Sequence, residues 1–156
     1  MLEKIIELTN LYINDMPKKE RKKYGQFFTS METARFMAGL YDIPKGKECI
    51  SVLDAGAGSG ILSCTFIEWA EQFAGVKEIN LVCYETDENV LGLLKENLEY
   101  CKTCSSKKVN YIIHTENYIL SQYLDFNGMI GGNPEPMKYD YVIGNPPYMK
   151  IPKDAP

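Results

Sequence analysis

The sequence predicts an α/β fold built around a sheet of parallel character. Three observations carry that expectation. Short apolar runs that suit buried strands alternate with longer stretches of helical period. A glycine-rich stretch, Asp54 to Gly60, sits between one such run and the helical stretch after it. Each strand run ends in polar, glycine or proline chemistry, at the edge where open α/β sheets bind ligands.

The elements follow in chain order. Leu2, Ile5, Ile6, Leu8, Leu11, Tyr12 and Ile13 fall near helical spacing and predict an amphipathic helix to Met16, ended by Pro17 and the lysines after it. Lys18, Lys19, Arg21, Lys22 and Lys23 form a basic run, which fits either a solvated segment or a phosphate-contacting one. Tyr24 to Ser30 reads as an aromatic loop. Ser30 can cap a helix with Glu32 and Thr33 in its first turn and Ala34, Phe36, Met37 and Leu40 on its apolar side. Pro44 to Lys47 makes a turn. Cys49 to Leu53 is the first strand, and the glycine stretch after Asp54 opens a helix from Ile61 to about Phe73. Ile79 to Tyr84 is the second strand. Glu88 to Tyr100 is a helix that buries Val90, Leu91, Leu93, Leu94 and Leu98. Val109 to His114 and Tyr139 to Ile143 complete the set, about four parallel strands with flanking helices. No repeat or low-complexity segment interrupts them. We therefore divide the chain into an N-terminal helical segment, 1–45, and a sheet region, 46–156.

Bulk properties narrow the function. The 156 residues suit one domain, and a net charge of −4 argues against the overall electrostatics of a nucleic-acid binder. Cys49, Cys64, Cys83, Cys101 and Cys104 include several in apolar runs, where a free cysteine acts as a small hydrophobe. Cys101 and Cys104 have half of a zinc-ligand spacing, but no second pair follows and the one histidine is His114, so no metal is expected. No signal-peptide pattern is visible, and no stretch approaches the ~20 apolar residues of a membrane helix. A cytoplasmic, reduced protein without a membrane partner is expected.

Four motifs carry chemistry. Asp54-Ala55-Gly56-Ala57-Gly58-Ser59-Gly60 follows a strand and opens a helix, so its glycines can let the backbone approach a ligand; a tight structural turn is the plainer alternative. It lacks the Lys-Ser/Thr of a phosphate-binding loop. Glu85 closes the second strand, where a carboxylate can accept bonds from both hydroxyls of a ribose, with Thr86 and Asp87 beside it. After the third strand, Glu116 and Asn117 offer side-chain oxygens that can accept hydrogen bonds, and Tyr118 an aromatic face. In Gly144-Asn145-Pro146-Pro147-Tyr148 the prolines remove two backbone donors. The Asn145 side-chain oxygen and the Pro146 carbonyl could then accept both hydrogens of an exocyclic amino group, with Tyr148 stacked on a base taken out of its helix.

These motifs resemble those of Rossmann-like methyltransferases. With Lys23-Tyr24-Gly25-Gln26-Phe27-Phe28-Thr29-Ser30 ahead of the glycine loop, the chain resembles the γ-type adenine-N6 DNA methyltransferases, the Eco57I-like restriction-modification methylases, from about Tyr24 to Tyr148. The resemblance implies S-adenosylmethionine as cofactor and S-adenosylhomocysteine as product. It implies cofactor contacts from Tyr24, Gln26, Phe28, Thr29, Asp54, Gly56, Ala57, Gly58, Gly60, Glu85, Thr86, Asn117, Tyr118 and Asn145. The cofactor's adenine would be met by Asn117 or Glu116 and covered by Tyr118. Asn145, Pro146, Pro147 and Tyr148 would be catalytic, and the partner would be double-stranded DNA with a flipped adenine, with a restriction subunit or fused nuclease also in view. Ser30 stands where the family has proline, and Asn117 where it has an acid.

Asn-Pro-Pro-Tyr also occurs in protein-glutamine and ribosomal RNA guanine-N2 methyltransferases, which methylate similar planar nitrogens. A non-catalytic binding module is the alternative of another class. Cytosine-C5 chemistry needs a nucleophilic cysteine, usually after proline, and the cysteines here follow Glu48, Ser63, Val82, Tyr100 and Thr103. The family fold carries more strands than the four expected here. The chain therefore reads as a fragment that binds cofactor and lacks target recognition, with little or no methylation on its own.

Overall fold

Alternation along the strands decides where the core lies. In the computed structural model, described over residues 1–17, 28–122 and 138–145, four strands form one parallel sheet: β1 (Cys49–Asp54), β2 (Glu78–Tyr84), β3 (Lys108–His114) and β4 (Tyr141–Ile143). Ile50, Val52, Ile79, Leu81, Cys83, Val109 and Ile143 share one buried cluster with the helices, whereas Ile112 and Val142 are exposed. The helices are α1 (Leu2–Asp15), α2 (Met31–Ala38), α3 (Ile61–Ala70) and α4 (Glu88–Cys104).

Strand order is β3-β2-β1-β4. The chain thus steps outward from β1 through β2 to β3 and then returns to the other side of β1. The order therefore reverses at the boundary between β1 and β4, and the carboxyl end of such a boundary is the usual ligand crevice of an open α/β sheet. β4 is only three residues long, with pairs from Val52↔Tyr141 to Asp54↔Ile143, and other contacts brace it. Lys47 Nζ and the Ser51 backbone N–H donate to Asp140 at 2.6 and 2.8 Å. Tyr41 Oη donates to the Val142 carbonyl at 2.6 Å, and the Tyr41, Phe66 and Tyr141 rings meet at 5.2–5.6 Å. Burial alone would raise the Asp140 carboxyl, but the Lys47 ammonium and the Ser51 donors outweigh it and hold it below its ordinary range.

The expected elements are present, with four corrections. Helix α3 stops at Ala70, and turns carry the chain past Phe73. Helix α4 runs a turn beyond Tyr100, which buries Cys101. The fourth strand starts at Tyr141, not Tyr139. On α2, Ala34 and Ala38 face the core, and Phe36 and, just past the helix end, Leu40 are each 68% exposed. Eight residues give two turns, and small alanines let α2 lie close against α3; the bulky side chains point away from that contact. Ser30 does cap α2, accepting from the Thr33 N–H at 3.3 Å.

Candidate functional site

The glycine loop between β1 and α3 is held from three sides. Ala57 N–H donates to the Tyr84 carbonyl at 2.9 Å, fastening the loop to the end of β2, and Gly60 N–H closes a turn on the Ala57 carbonyl at 2.8 Å. Gly58 and Gly60 adopt φ of +55° and +81°, which side-chain-bearing residues reach only at a cost. A Cβ at Gly60 would also stand 2.8 Å from Leu94 Cδ1. On α4 the buried Asn97 gives its Nδ2 to the Ser59 carbonyl at 2.8 Å and reaches Thr9 Oγ1 of α1 at 3.5 Å.

Asp54 is fully buried. Ser63 Oγ donates to its Oδ2 at 2.6 Å, and Oδ1 has no hydrogen-bond partner among the described residues. Burial pushes this carboxyl up to about 6, and the nearby charge of Glu85 adds to the rise. The Ser63 hydroxyl and the Gly56 N–H pull the other way without offsetting it, and the Gly56 N–H does not complete a hydrogen bond to Oδ1.

A small, partly open cleft lies over this loop, walled by Phe28, Thr29, Gly56, Ala57, Gly58, Ser59, Ile61, Leu62 and Asn145. The cleft is far smaller than the ~300–1,000 Å³ of usual small-molecule sites, so a cofactor-sized ligand would extend from it along the strand tips. Glu85 lies in that direction, at the end of β2. Its Oε2 accepts from Gly58 N–H at 2.7 Å and its Oε1 from Asp87 N–H at 2.8 Å. Further along, Tyr84 stacks on His114 at 4.6 Å and meets Tyr118 edge-on at 5.0 Å. Asn117 is exposed, and its Oδ1 accepts from Leu120 N–H at 3.1 Å, capping the helical turn at 118–122. Across the cleft, Asn145 Nδ2 donates to Thr29 Oγ1 at 3.1 Å, joining residues 116 apart in sequence.

Phe28, Thr29, Gly56, Ala57, Gly58 and Asn145 therefore meet in one cleft, and Glu85 joins them through Gly58. Thr86, Asn117 and Tyr118 follow the ends of β2 and β3 and do not wall the cleft. Neither do Asp54 and Gly60, which shape the loop from within. Tyr24, Gln26, Pro146, Pro147 and Tyr148 lie outside the described residues, as does the basic run at 18–23. Sequence reasoning missed Ser59, Ile61 and Leu62 on the cleft wall and Asn97 beneath it. Ser59 was signalled by its place between two glycines, and its buried Oγ has no partner among the described residues. Asn97 was signalled by a polar residue inside the apolar stripe of α4.

A four-stranded parallel sheet with a glycine loop after β1 and a cleft where the strand order reverses defines a Rossmann-like methyltransferase fold. The chain belongs to the N-6 DNA Methylase family, whose profile matches residues 7–154. It is 34% identical over 134 residues to the Type II methyltransferase M.PstI of Providencia stuartii, covering 84% of this chain and 25% of that enzyme. With M.BsuBI of Bacillus subtilis it shares 30% over 151 residues, 94% of this chain and 28% of the enzyme. The chain thus spans about a quarter of the length of these curated relatives. Among solved structures, a type I restriction-modification methyltransferase subunit from Streptococcus thermophilus superposes with TM-score 0.53 at 20% identity, over 79% of this chain and 24% of that one. An O-methyltransferase from Bacillus cereus, in complex with SAH, gives TM-score 0.53 at 15% identity over 92% and 53%. At such identity these two likenesses speak for the fold alone.

Proposed function

We propose that this chain binds S-adenosylmethionine along the tips of β1 and β2 and contributes the Asn145 loop to an enzyme that methylates the N6 amino group of adenine in DNA. The observation that carries the reading is the cleft in which Thr29, the glycine loop and Asn145 come together, with Glu85 fastened to the same loop.

The residues present fit such a cofactor. A carboxylate offers about four acceptor sites, and the Gly58 and Asp87 amides use one on each Glu85 oxygen. A ribose diol can be accepted at the remaining sites without breaking either bond. Ser59 brings to the cleft wall a buried hydroxyl that has no partner among the described residues, and the exposed Gly56 has nothing within 4 Å of where a Cβ would stand. Thr86, Asn117 and Tyr118, which follow the ends of β2 and β3, would meet the adenine end, and the family motif would add Tyr24 and Gln26. The cofactor, when bound, supplies an electrophilic methyl group on a sulfonium.

The chain's own part is to hold the nucleophile. The Asn145 carbonyl oxygen, with the Pro146 carbonyl, accepts the two hydrogens of the target amino group and draws its nitrogen towards sp³ character, and Tyr148 stacks on the base. No protein nucleophile is needed. The target would be an adenine turned out of double-stranded DNA, and a restriction subunit or nuclease is the partner such an enzyme would have. Among the described residues no helix is long and apolar enough to cross a membrane.

Titration calorimetry with S-adenosylhomocysteine tests the reading. Glu85→Ala should weaken binding by ~1–3 kcal/mol for a lost charge-assisted pair, whereas Asn145→Ala should change it little. Insensitivity to both changes would mark a binding module with another ligand. Methyl transfer to ribosomal RNA or release factor rather than DNA, by the full-length protein, would replace the substrate.

A further inference from the structure

We propose that Thr29 is a positioning residue that fixes which end of the Asn145 side-chain amide is left for the incoming amino group; this rests on the function proposed above. An asparagine amide has two ends of nearly equal size, one an acceptor and the other a double donor. Only the carbonyl end can hold the hydrogens of an amino group. Rotated by half a turn, the same side chain would set donors against donors and repel the substrate it should bind.

One polar contact holds the amide in the orientation the structure shows. Asn145 Nδ2 donates to Thr29 Oγ1 at 3.1 Å, and Oδ1 accepts no hydrogen bond from the described residues. The two side chains face each other across the cleft, with Phe28 and the glycine loop beside them. A threonine hydroxyl has one proton and two lone pairs, so it can also serve the opposite orientation by donating to Oδ1. The choice therefore depends on where that proton goes. An anionic acceptor in the cleft, such as the carboxylate of an amino-acid-like ligand, would take it. Thr29 is then left with lone pairs only, and the NH₂ end of Asn145 is the end it can bind. Filling the cleft in this way commits the catalytic amide to its productive orientation. Apart from Ser59, whose hydroxyl makes no hydrogen bond to Asn145 in the structure, the other side chains of the cleft wall are apolar and could not make this distinction.

The test is spectroscopic and uses the 156-residue chain labelled with nitrogen-15. The Asn145 side-chain amide pair is identified by its loss in Asn145→Ser. In the wild type and in Thr29→Ser the pair should stand away from the position of exposed asparagines. In Thr29→Val and Thr29→Ala it should move back to that position while the backbone spectrum is otherwise retained. Saturating S-adenosylhomocysteine should slow hydrogen exchange of the pair in the two hydroxyl-bearing proteins only. An Asn145 pair that stays put in both hydroxyl-free variants, in chain that still binds S-adenosylhomocysteine, overturns the positioning role and leaves the cofactor reading standing. A pair that moves in those variants, in chain whose wild type does not respond to S-adenosylhomocysteine, upholds the bond and overturns the cofactor reading instead.

Discussion

Replacing Asp54 by asparagine removes a carboxyl that is fully buried at the end of β1, and its effect on stability should depend on pH in one direction. Folding raises this group from its ordinary 3.8 to about 6, chiefly because burial penalises the charge. At ~1.4 kcal/mol per pKa unit the rise corresponds to ~3 kcal/mol. The sign follows from which state holds the proton. Between pH ~4 and ~6 the unfolded carboxyl has released it and the folded one has not, so wild-type stability falls as pH rises through that window. By pH 7 the charged carboxylate is buried in the folded state and the loss is complete. Asparagine does not titrate. Glu68, Glu71 and Asp140, whose carboxyls are held below their ordinary values despite burial, are common to both proteins and cancel in the difference. Urea unfolding of both proteins from pH 4 to pH 7 should therefore show the stability difference moving by ~3 kcal/mol in favour of Asp54→Asn. With m of ~2 kcal/mol/M, the gap between midpoints should change by ~1.5 M. A gap that is constant with pH, or that moves towards the wild type, would refute the reasoning.

Three further expectations follow from the packing. Gly60→Ala should cost ~1–3 kcal/mol in urea unfolding, from the left-handed backbone and the displaced Leu94 side chain; no measurable loss would mean the loop can reshape. Asn97→Leu should leave the Ser59 carbonyl without its donor and lower stability by ~1–3 kcal/mol, with weaker S-adenosylhomocysteine binding in calorimetry. Phe36→Ser and Leu40→Ser should each stay within ~0.5 kcal/mol of wild type, against ~2–5 kcal/mol for Ile67→Ala in the core. A large loss at Phe36 would show α2 turned the other way.

Legibility in the sequence tracked how local each determinant was. The strand-loop-helix from Cys49 to Ala70 was readable because apolar strand, glycine turn and helix lie in one stretch of chain. The same holds for Ser30, whose cap reaches only to Thr33. On α2 the periodicity was ambiguous, since eight residues allow more than one apolar stripe and the choice fell to how closely the alanines approach α3. The burial of Asp54 was hidden because Ser63, its hydroxyl partner, looks like an ordinary helix residue. Asn97 and Thr9 read as minor irregularities in two apolar stripes, yet they face each other and the loop across 88 and 38 residues of chain. Such pairs exist only once the topology has formed.

The contact between Thr29 and Asn145 bears on how the protein comes into being. Its partners are separated by 116 positions, and the pairing of β1 with β4, from Val52↔Tyr141 to Asp54↔Ile143, closes a shorter but still long loop. Closing such loops costs chain entropy before any contact repays it. During synthesis, β1, β2 and β3 can associate while the segment carrying Asn145 is still unmade. Competence for a ligand that spans both walls should therefore arrive late in folding, after most of the secondary structure has formed.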